Sequence, residues 1–367
     1  LKTFLGALRG PQPAMAELKE GKGGTYYPPF PVLGLASDGN QIFLTGGGGG
    51  ASASKEVPNV VQAHKYIEET GKLSTIASLG TEKQVVIYIS YSPSNGLWLA
   101  SSNDTCRILQ LSEEENTLTQ VGEFATELEG KEKCQTVARY SPAGDMIATG
   151  GTDGVVKIWK TPTPSATPTL HMSLGKEKEV LDIDWSPDGK LIASCDRSGV
   201  GHIWDLSNGE EKAKLKYPVA GQKVDLAVRG VRWIAGGEKG PILVVCATAP
   251  RGPAYIGLFG GADGKKLTEV KLDAKTPMTA MDVDRTGKYV TVNMVNGTKR
   301  VYSLPGLKCI LKSKEVHELP APCTAFLGKA TTVSGSGDRS INLLYFGGGG
   351  AGGACVYMLA IMIVLLI

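Results

Sequence analysis

The chain has 367 residues with 39 basic and 36 acidic side chains, a net charge of +3 that excludes a nucleic-acid footprint and a polybasic membrane-surface protein. Glycine supplies 48 residues, nearly twice the share of about 7% in average usage, and 42% apolar content suffices for a sizeable core, so disorder and collagen are excluded. Seven cysteines, odd in number and without a CxxC pair, point to a reduced, cytosolic setting rather than to disulfide staples or cysteine-bound metal.

Residues 1–25 contain no long apolar run ahead of a small-residue cleavage site and read as an N-terminal extension without a secretory signal. Residues 26–346 repeat one phrase: a short run ending near Ser-Pro-x-x-Gly, an apolar strand with small residues, a polar turn, and a second strand ending in Trp or another bulky residue. It is plainest from Tyr140-Ser141-Pro142-Ala143-Gly144 to Ile158-Trp159, and returns from Trp185-Ser186-Pro187-Asp188-Gly189 to Ile203-Trp204-Asp205. Weaker copies start near Ser37, Ser92, Trp233, Arg285 and Phe326, which makes seven. Alternation such as His202-Ile203-Trp204 suits pleated strands with one buried face, and Asp-Gly or Ser-Gly pairs suit tight turns. Asp153, Asp196 and Asp338 fall at such turns and read as structural residues. A period near 40–45 residues with a Trp-Asp ending resembles the WD-repeat β-propeller, in which each repeat is a four-stranded blade. The expected fold is therefore all-β, a seven-bladed WD-repeat-like β-propeller over 26–346.

The first copy departs from the others. Where later repeats turn through a few residues, this one runs from Gly46 through Gly50 and Ala51-Ser52-Ala53-Ser54-Lys55-Glu56-Val57-Pro58-Asn59 before Val60-Val61 resumes a strand. Consecutive glycines let the backbone turn carbonyls or amides toward one point, a nest suited to an ion. A phosphate-binding Walker loop needs Gly-Lys-Ser or Gly-Lys-Thr leading into a helix, whereas Lys55 is followed by Glu56 and a strand. The dinucleotide fingerprint fails because no strand-helix-strand unit surrounds the glycines. A flexible linker is the remaining alternative, although a linker seldom interrupts one blade and ends in a stiff Val-Pro-Asn corner.

Past a Gly-rich linker at 347–354, residues 355–367 are apolar throughout. Thirteen residues in a helix span about 20 Å against roughly 30 Å of hydrocarbon, so the stretch reads as the start of a transmembrane helix, with a buried terminal element as the alternative.

An N-terminal strand, a glycine run, a polar stretch and a Val-Pro-Asn ending in the opening blade, with a C-terminal anchor, resemble the Sec-type exchange factors of the endoplasmic reticulum. Tyr26-Tyr27-Pro28 and Met281-Asp282-Val283-Asp284 are also similar to that family. The resemblance implies a guanine nucleotide exchange factor for the small GTPase Sar, starting COPII coat assembly, with no covalent chemistry of its own. It further implies a propeller facing the cytosol and held at the endoplasmic reticulum membrane by a single C-terminal helix. In that family the glycine loop binds potassium through oxygen ligands and its terminal asparagine is the residue exchange depends on. Carried over by motif, Gly47, Gly48, Gly49 and Gly50 match the glycines, Val57 and Pro58 the hydrophobic-proline pair, and Asn59 the exchange-promoting asparagine. Glu56 stands where a glycine often occurs and offers a ligand oxygen instead. Asn59 is expected to hydrogen-bond the switch or phosphate-cradle backbone of the GTPase.

A conventional active site is not indicated: His64, His171, His202 and His317 show no metal-ligand spacing, no GxSxG elbow exists, and each histidine reads as a strand or loop residue. The alternative function is a membrane-anchored propeller scaffold or cargo escort without exchange activity; a soluble WD-repeat adaptor or nucleic-acid regulator is disfavoured by the apolar tail, and the latter also by the charge.

Overall fold

The computed structural model describes residues 19–20, 24–126, 133–161, 163, 166–175, 178–219, 225–236 and 240–347. The tail at 355–367 and nearly all of the 1–25 extension lie outside them. Seven antiparallel sheets follow one another in the order expected for a propeller. Blade one comprises Val32–Ser37, Ile42–Gly47, Val60–Ile67 and Lys72–Gly80 from the central channel outward, and blades two to six repeat that order. Blade seven takes its three inner strands from Cys323–Leu327, Thr331–Gly335 and Ile341–Tyr345 and its outer ones from the chain start, where Thr25–Tyr27 pairs with Ile341–Tyr345 and Lys19–Glu20 adds an edge. Outer strand and inner strands from opposite ends of the chain thus close the ring without leaving an open seam.

The repeated Ser-Pro-x-x-Gly phrase proves to be the turn from first to second strand. Gly144 and Gly189 adopt φ of 77° and 69°, which glycine holds without a Cβ clash. Ser141 and Ser186 accept the amides of Met146 at 3.1 Å and Leu191 at 2.9 Å, closing each turn before the second strand begins. In the next layer the repeat tryptophan is bonded across the blade: Trp159 Nε1 donates to Thr149 at 2.8 Å and Trp204 Nε1 to Ser194 at 2.9 Å. Apolar faces of adjoining blades pack into continuous clusters, such as Leu191, Ile203, Leu215 and Tyr217 of blade four and its outgoing linker against Val231 and Leu243 of blade five. Burial of this kind supplies most of the folding free energy.

Because strands alternate in direction, the second-to-third turns and the inter-blade linkers emerge at the same end of the ring. Asp153, Asp196 and Asp338 stand in those turns, where Asp153 accepts the Val155 amide, Asp196 those of Gly199 and Val200, and Asp338 those of Glu318 and Leu319. The long glycine loop also emerges there. Among the described residues no helix is long and apolar enough to cross a membrane.

Candidate functional site: the glycine loop of the first blade

The loop departs from the ladder at Gly47, which still pairs with Val32 and Val60. A Cβ on Gly47 would lie 1.8 Å from the Pro31 carbonyl oxygen, an approach that backbone cannot relieve by a rotamer change. Gly47→Ala is therefore expected to destabilise the protein by about 1–3 kcal/mol in denaturant unfolding, as overpacking does. Gly306→Ala, where the added atom meets nothing within 4 Å, serves as the control and should leave stability nearly unchanged.

Gly48 and Gly50 adopt φ of 145° and 65°, and one 3-10 turn follows over Gly50–Ser52. The amides of Ser52 and Ala53 donate to the carbonyls of Gly49 at 3.2 Å and Gly50 at 3.1 Å. Ser54 folds the return limb: its hydroxyl accepts the amides of Glu56 and Val57 at 3.2 Å each, and its own amide donates to the Val57 carbonyl at 3.2 Å. Residues 51–56 are exposed, Val57 and Pro58 are half-buried, and Val57 leans on the core shared by blades one and seven.

Asn59 lies at the root and is only 4% exposed. Its Oδ1 accepts the Gly50 amide at 2.9 Å, while Nδ2 donates to the carbonyls of Gly50 at 3.0 Å and Glu82 at 2.9 Å. Its own carbonyl accepts the Thr81 amide at 3.0 Å. Both amide hydrogens and the amide oxygen are thus engaged inside the molecule. Sequence reasoning directed this amide outward to a partner; the structure directs it inward, clamping both limbs of the loop to the linker between blades one and two. The exposed part of the loop is the tip, which carries Lys55 and Glu56.

Of the expected ion ligands, Gly47 belongs to the strand ladder and Glu56 is exposed at the tip. Neutral oxygens do gather at the root: a Cβ on Gly48 would lie 2.1 Å from Asn59 Oδ1 and 2.8 Å from the Pro58 carbonyl, and one on Gly49 would lie 3.1 Å from the Val57 carbonyl. Uncharged carbonyl oxygens are the donor type that potassium accepts. Among the described residues no group of three or more His, Cys, Asp or Glu is placed to hold a metal.

Sequence reasoning missed a second cluster, in the central channel. The inner strands of blades three to six present Arg139, Asp182, Arg232 and Asp282 in alternating sign around a cavity of about 510 Å³, with Asp184 beside them on the strand Val180–Trp185. Arg232 Nη1 lies 2.5 Å from Asp182 Oδ2 and its Nε 3.2 Å from Asp282 Oδ1, while Arg139 Nη1 lies 3.7 Å from Asp184 Oδ1. Burial pushes the carboxyls of Asp184 and Asp282 up, against the pull of the neighbouring guanidiniums. Asp282, quoted above for its family resemblance, has this structural place.

Three of the four histidines are structural too. His64, wholly buried, bonds Thr45 at 2.8 Å and Thr75 at 3.1 Å, in the place that Trp159 holds in blade three. His317 bonds Ser340 at 2.6 Å and Ser334 at 2.7 Å, and His202 bonds Glu211 at 2.7 Å.

Residues 122–160 and 167–205 match the family "WD domain, G-beta repeat". Each match begins in or just before the outer strand of one blade and ends in the third strand of the next, the same stagger that closes the ring at blade seven. Curated relatives include the chromatin assembly factor 1 subunit FAS2 homolog of Oryza sativa subsp. japonica, 27% identical over 37% of this chain and 28% of that protein. The WD repeat-containing protein 26 homolog of Arabidopsis thaliana is 24% identical over 55% of this chain and 40% of that protein. The chain therefore spans well under half the length of these relatives. Among solved structures, a chain of the COPII outer coat vertex on membranes superposes with a TM-score of 0.71 at 16% identity, covering 86% of this chain and 84% of its own. A chain of the mitotic checkpoint complex gives 0.64 at 15% identity, with 94% and 98% covered. At these identities the likeness is one of fold. The chain is a seven-bladed β-propeller whose third and fourth blades carry WD40 repeats.

Proposed function

We propose that the protein is a guanine nucleotide exchange factor for a Sar-type small GTPase, that the first-blade loop is its working element, and that the apolar tail anchors it at the endoplasmic reticulum with the propeller in the cytosol. The observation that supports this reading is an exposed tip on a stiff root: residues 51–56 stand in solvent while Asn59 braces the chain below them. A GTPase holds GDP through a phosphate cradle and switch segments whose order depends on the nucleotide. A partner loosens that nucleotide only to the extent that it binds the empty form more tightly than the loaded one. A rigid wedge meets this requirement, since ordering on contact would consume binding free energy. Asn59 acts by holding the wedge in shape. Potassium bound at the glycine loop would add further stiffness there.

The test is release of a fluorescent GDP analogue from Sar. The full chain should accelerate it, and Asn59→Ala should slow the accelerated rate by about tenfold or more, as small misplacements in a positioned group do. Exchanging potassium for sodium should weaken the wild-type effect. Equal rates for wild type and variant would remove Asn59 from the account. A scaffold or cargo escort without exchange activity remains the second reading, favoured by the inward commitment of the Asn59 amide.

A further inference from the structure

The linker that receives Asn59 is itself a built element. Thr81 and Gln84 close a tight turn, with the Gln84 amide donating to the Thr81 carbonyl at 3.0 Å and the Thr81 hydroxyl donating to the Gln84 carbonyl at 2.6 Å. Glu82, at its centre, adopts φ of 53°, a left-handed conformation that an L residue keeps only when its surroundings impose it. This conformation accompanies the presentation of the Glu82 carbonyl to Asn59 Nδ2. Beyond the turn, Val85 stands 3.5 Å from where a Cβ on Gly50 would lie, and Val86 enters the core between blades one and two.

The turn is gripped from blade two. Arg107, on the strand Thr105–Ser112, is buried; it donates through Nη1 to the Ser102 hydroxyl at 2.5 Å and through Nη2 to Gln84 Oε1, which also accepts the Ser102 hydroxyl at 3.3 Å. Glu123 on the neighbouring strand lies 3.7 Å from the same guanidinium nitrogen. A planar fork can engage two acceptors at fixed angles, which an ammonium does not reproduce. A chain of contacts thus runs from Arg107 to Gln84, through the 81–84 turn to Asn59, and on to Gly50 at the base of the tip.

We infer that Arg107 and Gln84 are positioning residues for the glycine loop, so that blade two sets the shape that blade one presents; the consequence for nucleotide release rests on the exchange reading above. Neither residue touches a partner in this account. Each acts through the linker.

Two measurements on the full chain test this. In Gln84→Ala and Arg107→Lys, amide hydrogen exchange at Gly50 and Thr81 should accelerate by about tenfold, while Val61 in the adjoining ladder keeps its protection, because the loss is a local opening. Gln84→Glu keeps an acceptor for the guanidinium and should restore both amides to near wild-type protection. Release of the fluorescent GDP analogue from Sar should slow by about tenfold in Gln84→Ala and recover in Gln84→Glu, with no matching change in melting temperature. Unchanged protection of Gly50 and Thr81 in both disrupting variants overturns the inference. Should the wild-type chain fail to accelerate release at all, the exchange reading falls, and the amide measurements still decide whether blade two positions the loop.

Discussion

Arg232→Ala is expected to lower the free energy of unfolding by about 3–5 kcal/mol, because it strips the counter-ion from a buried carboxylate. Arg232 and Asp182 are each about one-tenth exposed, and Nη1 also donates to the Val231 carbonyl at 2.6 Å. Nearby carboxylates hold the Arg232 guanidinium well above its ordinary range against the opposing effect of burial. With the arginine gone, Asp182 Oδ2 retains the Val231 amide at 3.1 Å, a neutral partner for a full charge. Urea unfolding of the single variant and of Arg232→Ala with Asp182→Asn measures this directly. The double variant should recover part of the loss, since it neutralises Asp182 and leaves only Asp282 without its guanidinium partner; a loss below about 1 kcal/mol in the single variant would show that Asp182 is adequately solvated by the channel.

Acidification should produce the second large effect. Burial pushes the His64 imidazole down to about 3, and burial together with the Lys299 ammonium pushes His317 down to about 4, both from 6.5. The unfolded chain therefore binds protons that the folded chain refuses once the pH drops below 6.5. Their contribution to stability is complete above that value and is lost as pH falls toward 4 for His317 and toward 3 for His64. Each group adds a slope of about 1.4 kcal/mol per pH unit inside its window. Denaturant midpoints measured between pH 7 and pH 4.5 should fall steeply, and His64→Gln should remove a share of that slope. An unchanged slope in the variant would mean that His64 takes up protons in the folded protein.

Much of the fold was legible because the turn chemistry repeats. Ser141-Pro142-Ala143-Gly144 and Ser186-Pro187-Asp188-Gly189 set the first turn of their blades through a serine hydroxyl and a left-handed glycine, and weaker copies at Ser37, Ser92 and Arg285 fall at the same turn. Blade one was harder to read because its layer residue is histidine rather than tryptophan; only the register, with His64 opposite Phe43 as Trp159 is opposite Ile147, reveals the equivalence. The channel charges were not legible as a cluster, since Arg139, Asp184, Arg232 and Asp282 are separated by some 45 to 50 residues and meet only when the ring closes. The glycine loop was visible as an interruption of the repeat. The direction of the Asn59 side chain was not, because it depends on Glu82, a residue of the following linker with no motif of its own.

The loop architecture separates two tasks that the sequence motif runs together. Lys55 and Glu56 are available at the tip, while Asn59, Gly48 and Gly50 determine where the tip stands. Under the exchange proposal, a loop braced before contact would let contact free energy act on the partner's nucleotide site instead of on ordering the loop.

The most direct measurement is the affinity of the full chain for Sar in its nucleotide-free and GDP-loaded forms, compared with the Asn59→Ala chain. Wild type should bind the nucleotide-free form more tightly by about tenfold or more, and the variant should lose most of that preference, as linkage requires of any partner that expels nucleotide. Equal affinity of the wild-type chain for both forms would contradict the exchange reading.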